Sequence, residues 1–233
     1  MPLPTALILP GLLEDADAFD EVIGAAQDIA VSVVADLTRA DSIAAIASDV
    51  LKQAPEGPLY VAGHSMGGYV ALEVVRQAPD RVAKLALLNT NARPDSAEST
   101  ENRKRLMALA DRDFEAVINA LMPKVMNAEH QKDPVLTGIV AAMALGIGKD
   151  AFKRQQQAII GRVDSRPHLA AIRCPTHVVA AREDAIMPLE WLEELAGGIR
   201  GAKLEVIEDS GHMASIEQPA EVARIFRAWI QGG

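Results

Sequence analysis

Short runs of apolar, often β-branched residues alternate along the chain with longer segments in which apolar positions recur every three or four residues. The short runs predict six β-strands, at 5–10, 29–35, 58–62, 84–89, 176–181 and 203–207. The longer segments predict helices at 42–54, 66–78, 188–196 and 219–230. Strands that alternate with helices form a mostly parallel sheet. The pattern therefore predicts an α/β fold in which helices cover both faces of a mostly parallel six-stranded sheet.

One long segment interrupts this alternation. Residues 93–165 contain helical patterns and no convincing strand. The helical patterns cover 101–109, 114–122, 134–145 and 151–160. The segment carries 11 Lys and Arg against 10 Asp and Glu, whereas the whole chain carries 23 against 32. We expect residues 1–92 and 166–233 to form the core and residues 93–165 to form an all-helical insertion.

Composition narrows the classes of function. The net charge of −9 argues against nucleic acid or an anionic membrane surface as the main partner, because both bind basic surfaces. The single cysteine, Cys174, excludes an internal disulfide and is compatible with a reducing compartment. No uninterrupted apolar run reaches the roughly 18 residues of a membrane span, and the first residues lack the positive charge of a signal peptide. We expect a soluble, cytoplasmic protein.

The sequence GHSMG at residues 63–67 has the Gly-x-Ser-x-Gly pattern between a predicted strand and a predicted helix. In that context the chain turns sharply and lifts the Ser65 Oγ atom above the sheet, and the crowded turn requires glycine two residues before and after the serine. A phosphate-binding loop is the alternative, but the lysine that such a loop needs is absent. Ser65 is therefore the predicted nucleophile.

A serine hydroxyl needs a base, and the base needs an acid to orient it. His212 follows the last predicted strand, at the edge of the sheet where sites in open α/β folds form. The other four histidines are less suitable. His177 lies inside a predicted strand, and His130 and His168 lie in or beside the insertion. His64 is next to the serine, in a position that should direct its side chain away from the serine. His212 is the predicted base.

Asp184 follows the strand at 176–181 and is the predicted acid, which gives the chain order Ser, Asp, His. Glu183, Asp209 and Asp36 remain alternatives, since each also follows a predicted strand.

Acyl transfer also requires two backbone N–H donors for the oxyanion. The N–H of Met66 directly follows the nucleophile, and the N–H of Leu12 lies in the loop after the first strand, where Gly11 lets the backbone approach closely. These two groups are the predicted oxyanion hole, and a plain strand-to-helix turn is the alternative interpretation of the Leu12 loop.

Four motifs, LILPGLL, VAGHSMGGYVALE, CPTHVVAAREDAIMP and DSGHMASIEQP, make the whole chain resemble the α/β-hydrolase superfamily, in its Ser-Asp-His, carboxylesterase-like branch with a helical cap. The resemblance implies a nucleophile at Ser65, an acid at Asp184, a base at His212 and a cap at the helical insertion. Pro10-Gly11 replaces the family's usual His-Gly in the oxyanion loop. The antiparallel strands that often precede the first parallel strand have no counterpart, so we expect a reduced sheet.

These features together predict a serine hydrolase that cleaves a small to medium uncharged carboxylic ester through an acyl-enzyme, with no metal or organic cofactor. Thioesters, lactones and carbon–carbon bonds beside a carbonyl are alternative substrates, and a non-catalytic ligand receptor is the alternative from another class.

Three acidic residues after the oxyanion loop either disfavour anionic substrates or mark a solvated helix start: Glu14, Asp15 and Asp17. Four methionines of the insertion either line an acyl pocket or pack its helices together: Met107, Met122, Met126 and Met143.

Overall fold

The computed structural model describes residues 2–232 and contains a six-stranded parallel sheet. The strands are β1 (Thr5–Leu9), β2 (Val31–Val34), β3 (Leu59–His64), β4 (Val82–Leu88), β5 (Thr176–Ala181) and β6 (Lys203–Ile207). They lie in the order β2-β1-β3-β4-β5-β6, and every neighbouring pair is parallel. The predicted fold class is confirmed.

Helices cover both faces of the sheet. They are α1 (Asp20–Ala26), α2 (Ile43–Gln53), α3 (Met66–Gln77), α4 (Ala97–Ala110), α5 (Phe114–Val125), α6 (Pro134–Ile160), α7 (Leu189–Gly198), α8 (Ala214–Glu217) and α9 (Pro219–Gln231). Successive side chains of a strand point to opposite faces, and β1 shows this directly. Its Leu7 and Leu9 belong to the apolar cluster that includes residues of α2 and α3, whereas Ala6 and Ile8 belong to the cluster that includes residues of α1 and α9.

The observed bounds of several core elements differ from the predicted ones. β3 continues beyond the predicted strand to His64, so the serine turn begins directly at the end of a hydrogen-bonded strand. β2 is shorter than predicted and lies at an edge of the sheet, where only one neighbour supports it. The single-turn helix α8 has no periodic signal long enough to predict it.

Among the described residues no strand lies between β4 and β5, and α4, α5 and α6 all lie within the segment 93–165 that the sequence assigns to the insertion. We refer to α4, α5 and α6 as the cap helices. They share a small apolar cluster with the loop after β1, in which Phe152 and Val117 are fully buried beside Leu13. Two of the four methionines, Met126 and Met143, are buried against the β1–α9 side of the core.

The cap helix α6 differs from the sequence prediction in one way. The sequence predicts two separate helices at 134–145 and 151–160, whereas α6 is continuous apart from Gly148, whose backbone leaves the helical conformation (φ 79°, ψ 165°). By length and composition α6 would be able to cross a membrane, although polar and charged residues interrupt its apolar sequence. Its halves, 134–147 and 149–160, are each shorter than the roughly 20 residues that a span needs.

Candidate active site

Ser65 occupies a strained turn between β3 and α3. Its backbone (φ 51°, ψ −115°) lies in a region that residues with a side chain rarely adopt. A Cβ atom at position 63 would lie 2.3 Å from the Gly67 carbonyl oxygen, and one at position 67 would lie 1.9 Å from the Leu9 carbonyl oxygen. Both positions therefore require glycine. The hydroxyl of Thr90 donates to the Ser65 carbonyl at 2.8 Å and helps to hold the turn.

The structure brings Ser65, His212 and Asp184 together in one buried hydrogen-bonded chain. His212 Nε2 lies 2.8 Å from Ser65 Oγ, and His212 Nδ1 lies 2.7 Å from Asp184 Oδ2. An ionised carboxylate can only accept, so it fixes the ring proton on Nδ1 and leaves Nε2 free to accept the serine proton. The arrangement is therefore able to raise the nucleophilicity of the Ser65 hydroxyl.

The carboxylate of Asp184 is held by three further donors. The side-chain amide of Asn89 donates to Oδ2 at 2.9 Å, and the N–H groups of Ile186 and Met187 donate to Oδ1 at 2.8 and 2.9 Å. Burial alone would raise the pKa of Asp184, but His212, Asn89 and the backbone donors outweigh burial and lower it. Asp184 is thus held ionised, and Asn89, at the end of β4, is a site residue that the sequence does not predict.

The rival acids have other contacts. Glu183 accepts a hydrogen bond from the Ser210 N–H at 2.8 Å, which ties the end of β5 to the loop that carries His212. Asp209 is exposed and has a left-handed backbone (φ 51°). Asp36 caps its own turn through the Thr38 N–H at 2.9 Å. Of the four candidate carboxylates, the one hydrogen-bonded to His212 is Asp184.

In the described part of the chain, the four histidines other than His212 form no hydrogen bond with the Ser65 hydroxyl. His130 contacts Glu217 at 2.9 Å, His177 lies within β5 at 3.7 Å from Glu205, and His168 is exposed. His64 lies close to the site, with its ring centroid 5.0 Å from that of His212, yet its ring nitrogens bind other partners.

Glu14 is the partner of His64, and the solvated helix start that the sequence suggests for it is wrong. Its side chain is only 3% exposed, because Glu14 Oε2 accepts from the Gly11 N–H at 2.7 Å and lies 2.8 Å from His64 Nδ1. His64 Nε2 donates to the His212 carbonyl at 2.8 Å. Both ring nitrogens thus face oxygen atoms, an arrangement suited to an imidazolium paired with a carboxylate. Asp15, in contrast, caps the turn that follows.

The charge state of His64 follows from these contacts. Burial disfavours the imidazolium, but the charge and hydrogen bond of Glu14 and the hydrogen bond to the His212 carbonyl outweigh it. The net effect raises the pKa of His64 above its usual value.

The two predicted oxyanion donors flank the serine. Met66 is the first residue of α3, so its N–H has no acceptor within the helix, and Leu12 lines the same cavity as Ser65. In the part of the chain that the structure describes, neither N–H donates a hydrogen bond. Leu13, the next residue, has a left-handed backbone (φ 63°), and its N–H is bound by Gln155 of α6 at 3.1 Å. The loop is therefore held between core and cap with the Leu12 N–H unused.

A cavity of about 240 Å³ opens above Ser65, between the core and the cap helices. Ser65, His212, Leu12 and Tyr69 contribute the core side. The cap contributes polar as well as apolar residues: Ser99, Asn102, Arg103, Leu121, Lys124 and Gln156. None of the four cap methionines is among the lining residues of this cavity that the structure describes, which favours their role in helix packing.

Across residues 2–232, no three His, Cys, Asp or Glu side chains are grouped so that they could hold a metal ion.

Comparison with known proteins agrees with this architecture. A model described as the alpha/beta hydrolase family matches residues 6–225, nearly the whole chain. The protein belongs to the alpha/beta hydrolase family, as the four sequence motifs predict.

Individual relatives are hydrolases of several kinds. The chain is 31% identical over 165 residues to "Putative carbamate hydrolase RutD" of Variovorax paradoxus, covering 69% of this chain but only 61% of that relative's length. It is 26% identical over 223 residues to a pimeloyl-[acyl-carrier protein] methyl ester esterase of Aromatoleum aromaticum, covering 83% and 82% of the two chains. Among solved structures, a thermophilic esterase from Thermogutta terrifontis with malate bound superposes with a TM-score of 0.92 at 28% identity, covering 98% of this chain and 90% of that one.

Proposed function

We propose that this alpha/beta hydrolase is a serine esterase that cleaves a small to medium carboxylic ester through an acyl-enzyme intermediate. The observation that carries the proposal is the continuous hydrogen-bonded chain from Ser65 Oγ through His212 to Asp184. Two members of this hydrogen-bonded triad, Ser65 and His212, line the cavity between core and cap. The same geometry defines serine hydrolases on unrelated folds, where the roles follow from the contacts and not from the order of the residues.

In the first half of the reaction, Ser65 Oγ attacks the ester carbonyl carbon while His212 Nε2 takes the hydroxyl proton. The carbonyl oxygen becomes an oxyanion, which the N–H groups of Leu12 and Met66 stabilise. When the tetrahedral intermediate collapses, the bond to the alcohol oxygen breaks and His212 returns its proton to that oxygen. The alcohol leaves, and the acyl group remains on Ser65.

The second half uses the same groups in reverse. A water molecule gives a proton to His212 and attacks the acyl carbon, the oxyanion forms again between Leu12 and Met66, and the Ser65 oxygen leaves with the proton from His212. Asp184 keeps the imidazole in the productive tautomer and stabilises its positive charge in both halves. The carboxylic acid product then departs from the cavity.

The relatives support an acyl substrate. The methyl ester esterase and the thermophilic esterase are both named as esterases. A carbamate, as in the name of the Variovorax relative, also presents a carbonyl carbon to a nucleophile. What these substrates share is the acyl carbon that Ser65 would attack.

The test is the initial rate on p-nitrophenyl esters of graded acyl length, with the native protein and the Ser65→Ala variant. Loss of the nucleophile should lower kcat/KM by roughly 10⁴-fold or more. Ser48→Ala is the matched control, because Ser48 lies in α2 and outside the cavity, and it should keep the native rate. Equal rates for the native protein and Ser65→Ala would contradict the proposal.

A further inference from the structure

We infer that the ester cleaved at this site carries an anionic group such as a carboxylate, which Lys124 and Arg103 of the cap bind while Ser65 attacks the ester carbonyl. The inference rests on the proposed function and specifies the substrate class of the same site. It replaces the uncharged ester that the sequence favours.

Lys124 is a cation without a partner at the cavity. It lies near the end of α5 and lines the cavity together with Ser65 and His212. Of the four other lysines of the cap segment, three each lie within 3 Å of a carboxylate: Lys104 with Glu101, Lys132 with Glu129 and Lys153 with Asp111. The fourth, Lys149, is exposed on α6 and is not among the residues that line the cavity. Lys124 makes no hydrogen bond or ion pair with any residue that the structure describes. Its ammonium is therefore available to a bound anion.

Arg103 presents a second cation, held in a fixed orientation. Its side chain is 19% exposed; Nε lies 3.2 Å from Asp95 Oδ1, and Nη1 donates to Gln156 Oε1 at 2.8 Å. Nη2 donates no hydrogen bond within residues 2–232. A guanidinium that is already oriented by two contacts loses little conformational freedom when it binds a carboxylate.

The charges near the cavity leave an excess of positive charge. Asp95 is buried and pairs with Arg162 at 2.7 Å as well as with Arg103, so two guanidinium groups share one carboxylate. Arg162 also lies over the Tyr69 ring, at 4.5 Å from its centroid, and Tyr69 lines the cavity. The carboxylate of Glu14 is compensated by His64. The ionised carboxylate of Asp184, hydrogen-bonded to His212, offsets the remaining guanidinium charge, so Lys124 supplies the net positive charge of the cavity wall in a protein whose net charge is −9.

The cations reach the cavity from the cap helices and the nucleophile reaches it from the core. Lys124 and Arg103 belong to α5 and α4 of the cap, whereas Ser65 projects from the core at the end of β3. Ser99 and Asn102 line the cavity beside Arg103 and supply neutral hydrogen-bonding groups. A substrate that spans the cavity would present its ester to the core and its anionic end to the cap, where a partly enclosed ion pair is stronger than in water.

The experiment compares two isosteric pairs of esters that differ in one charge. For the acyl side, the p-nitrophenyl ester of adipamic acid, whose far end is a neutral amide, is compared with the mono-p-nitrophenyl ester of adipic acid. For the alcohol side, the hexanoyl ester of 4-hydroxybenzamide is compared with that of 4-hydroxybenzoate. In at least one pair the charged ester should have a kcat/KM about tenfold higher, as expected for one charge-assisted contact.

Variants then assign that preference to the cap cations. Lys124→Met should lower the charged-to-neutral ratio by about tenfold, and Arg103→Lys, which keeps a cation near Asp95 but removes Nη2, should lower it by a smaller factor. Lys104→Met removes the same charge from the exposed surface of α4 and should leave the ratio unchanged. A preference for the neutral ester in both pairs, or a charged preference that survives Lys124→Met and Arg103→Lys, would overturn the inference.

A binding measurement separates this inference from the proposed function. Calorimetric titration of the Ser65→Ala protein with adipamate, which carries one carboxylate and one amide, and with adipamide requires no turnover. Adipamate should bind at least tenfold more tightly than adipamide, and the difference should disappear in the Ser65→Ala, Lys124→Met double variant. That result together with no ester hydrolysis would reject the esterase and keep the anion site. Ester hydrolysis with equal binding of the two ligands would keep the esterase and reject the anion site.

Discussion

Glu14 Oε2 lies 2.8 Å from His64 Nδ1, in a pair that is almost completely buried beneath the catalytic loops. Glu14 also binds the N–H of Gly11, and His64 also binds the carbonyl of His212. The pair thus connects the oxyanion loop, the serine turn and the loop of the base. These three segments are far apart in the sequence, and their relative positions set the geometry of the reaction.

Replacing Glu14 should destabilise the protein in a pH-dependent way. In Glu14→Gln, the amide oxygen can still accept from Gly11 and His64, but the side chain is neutral and no longer stabilises the charge of a protonated His64. The expected loss is about 1.5–3 kcal/mol of unfolding free energy near pH 6. Because the folded-state pKa of His64 is raised, the stabilisation is fully present below its unfolded pKa of about 6.5 and is lost as the pH rises through the folded value.

Denaturant unfolding of native protein and Glu14→Gln between pH 6 and pH 9 measures this difference, which should shrink as the pH rises. Glu21→Gln on the exposed surface of α1 is the control and should change stability by less than about 0.5 kcal/mol. A destabilisation by Glu14→Gln that is constant across this range would show that the pair is not ionised as described.

The amide of Asn89 should matter most at acidic pH. Asn89 has a left-handed backbone (φ 44°), so Asn89→Gly removes the hydrogen bond to Asp184 without adding backbone strain. The pKa of Asp184 should then rise toward its usual value, and Asn89→Asp should raise it further by placing a second carboxylate beside the first.

The measurement is the pH profile of kcat/KM from pH 4.5 to pH 8.5. The acidic limb should move to higher pH in the order native, Asn89→Gly, Asn89→Asp, with a loss of about tenfold or more at the acidic end. A uniform loss at all pH values in both variants would indicate a purely structural role for Asn89.

Asp184 itself should be tested by an isosteric change. Asp184→Asn preserves the shape but offers an N–H donor where His212 needs an acceptor, so the imidazole is held in the wrong tautomer. The expected fall in kcat is about 10⁴-fold, with little change in fold by circular dichroism. Asp36→Asn is the control, since Asp36 contacts only its own turn and Arg39, and it should retain the native kcat.

Glycine at position 67 should be required for folding. A Cβ atom there would lie 1.9 Å from the Leu9 carbonyl oxygen, a backbone atom of strand β1, which is hydrogen-bonded between β2 and β3. Gly67→Ala should therefore cost several kcal/mol or prevent folding. Gly24→Ala, in α1, meets no atom within 4 Å and should instead be neutral or slightly stabilising. Thermal unfolding of the two variants decides the prediction, and equal melting temperatures would contradict it.

The parts of this molecule that follow local rules could be predicted from the sequence. The strands β5 and β6 have the predicted bounds, and Ser65, Asp184 and His212 meet because each follows the carboxyl end of a parallel strand. In a parallel sheet those ends lie along one edge, so strand assignment already brings the three side chains close together.

Contacts that depend on the exact placement of loops could not be predicted. Glu14 and His64 are 50 positions apart, and Asn89 and Asp184 are 95 apart. No periodicity links them, and a buried acid that follows an oxyanion loop resembles a solvated helix start in sequence. The cationic wall depends in the same way on how the cap helices sit over the core, because Lys124 and Arg103 resemble any other exposed basic residues in a helical sequence.

Covalent labelling with a fluorophosphonate tests the central claim most directly, because the reagent requires an activated serine and no particular substrate. The Ser65 oxygen would displace fluoride from phosphorus. Intact-mass and peptide mass spectrometry should then show one adduct per chain on the peptide that contains Ser65, absent in Ser65→Ala and formed far more slowly in Asp184→Asn. An adduct on another residue, or labelling that persists at the native rate in Ser65→Ala, would contradict the account.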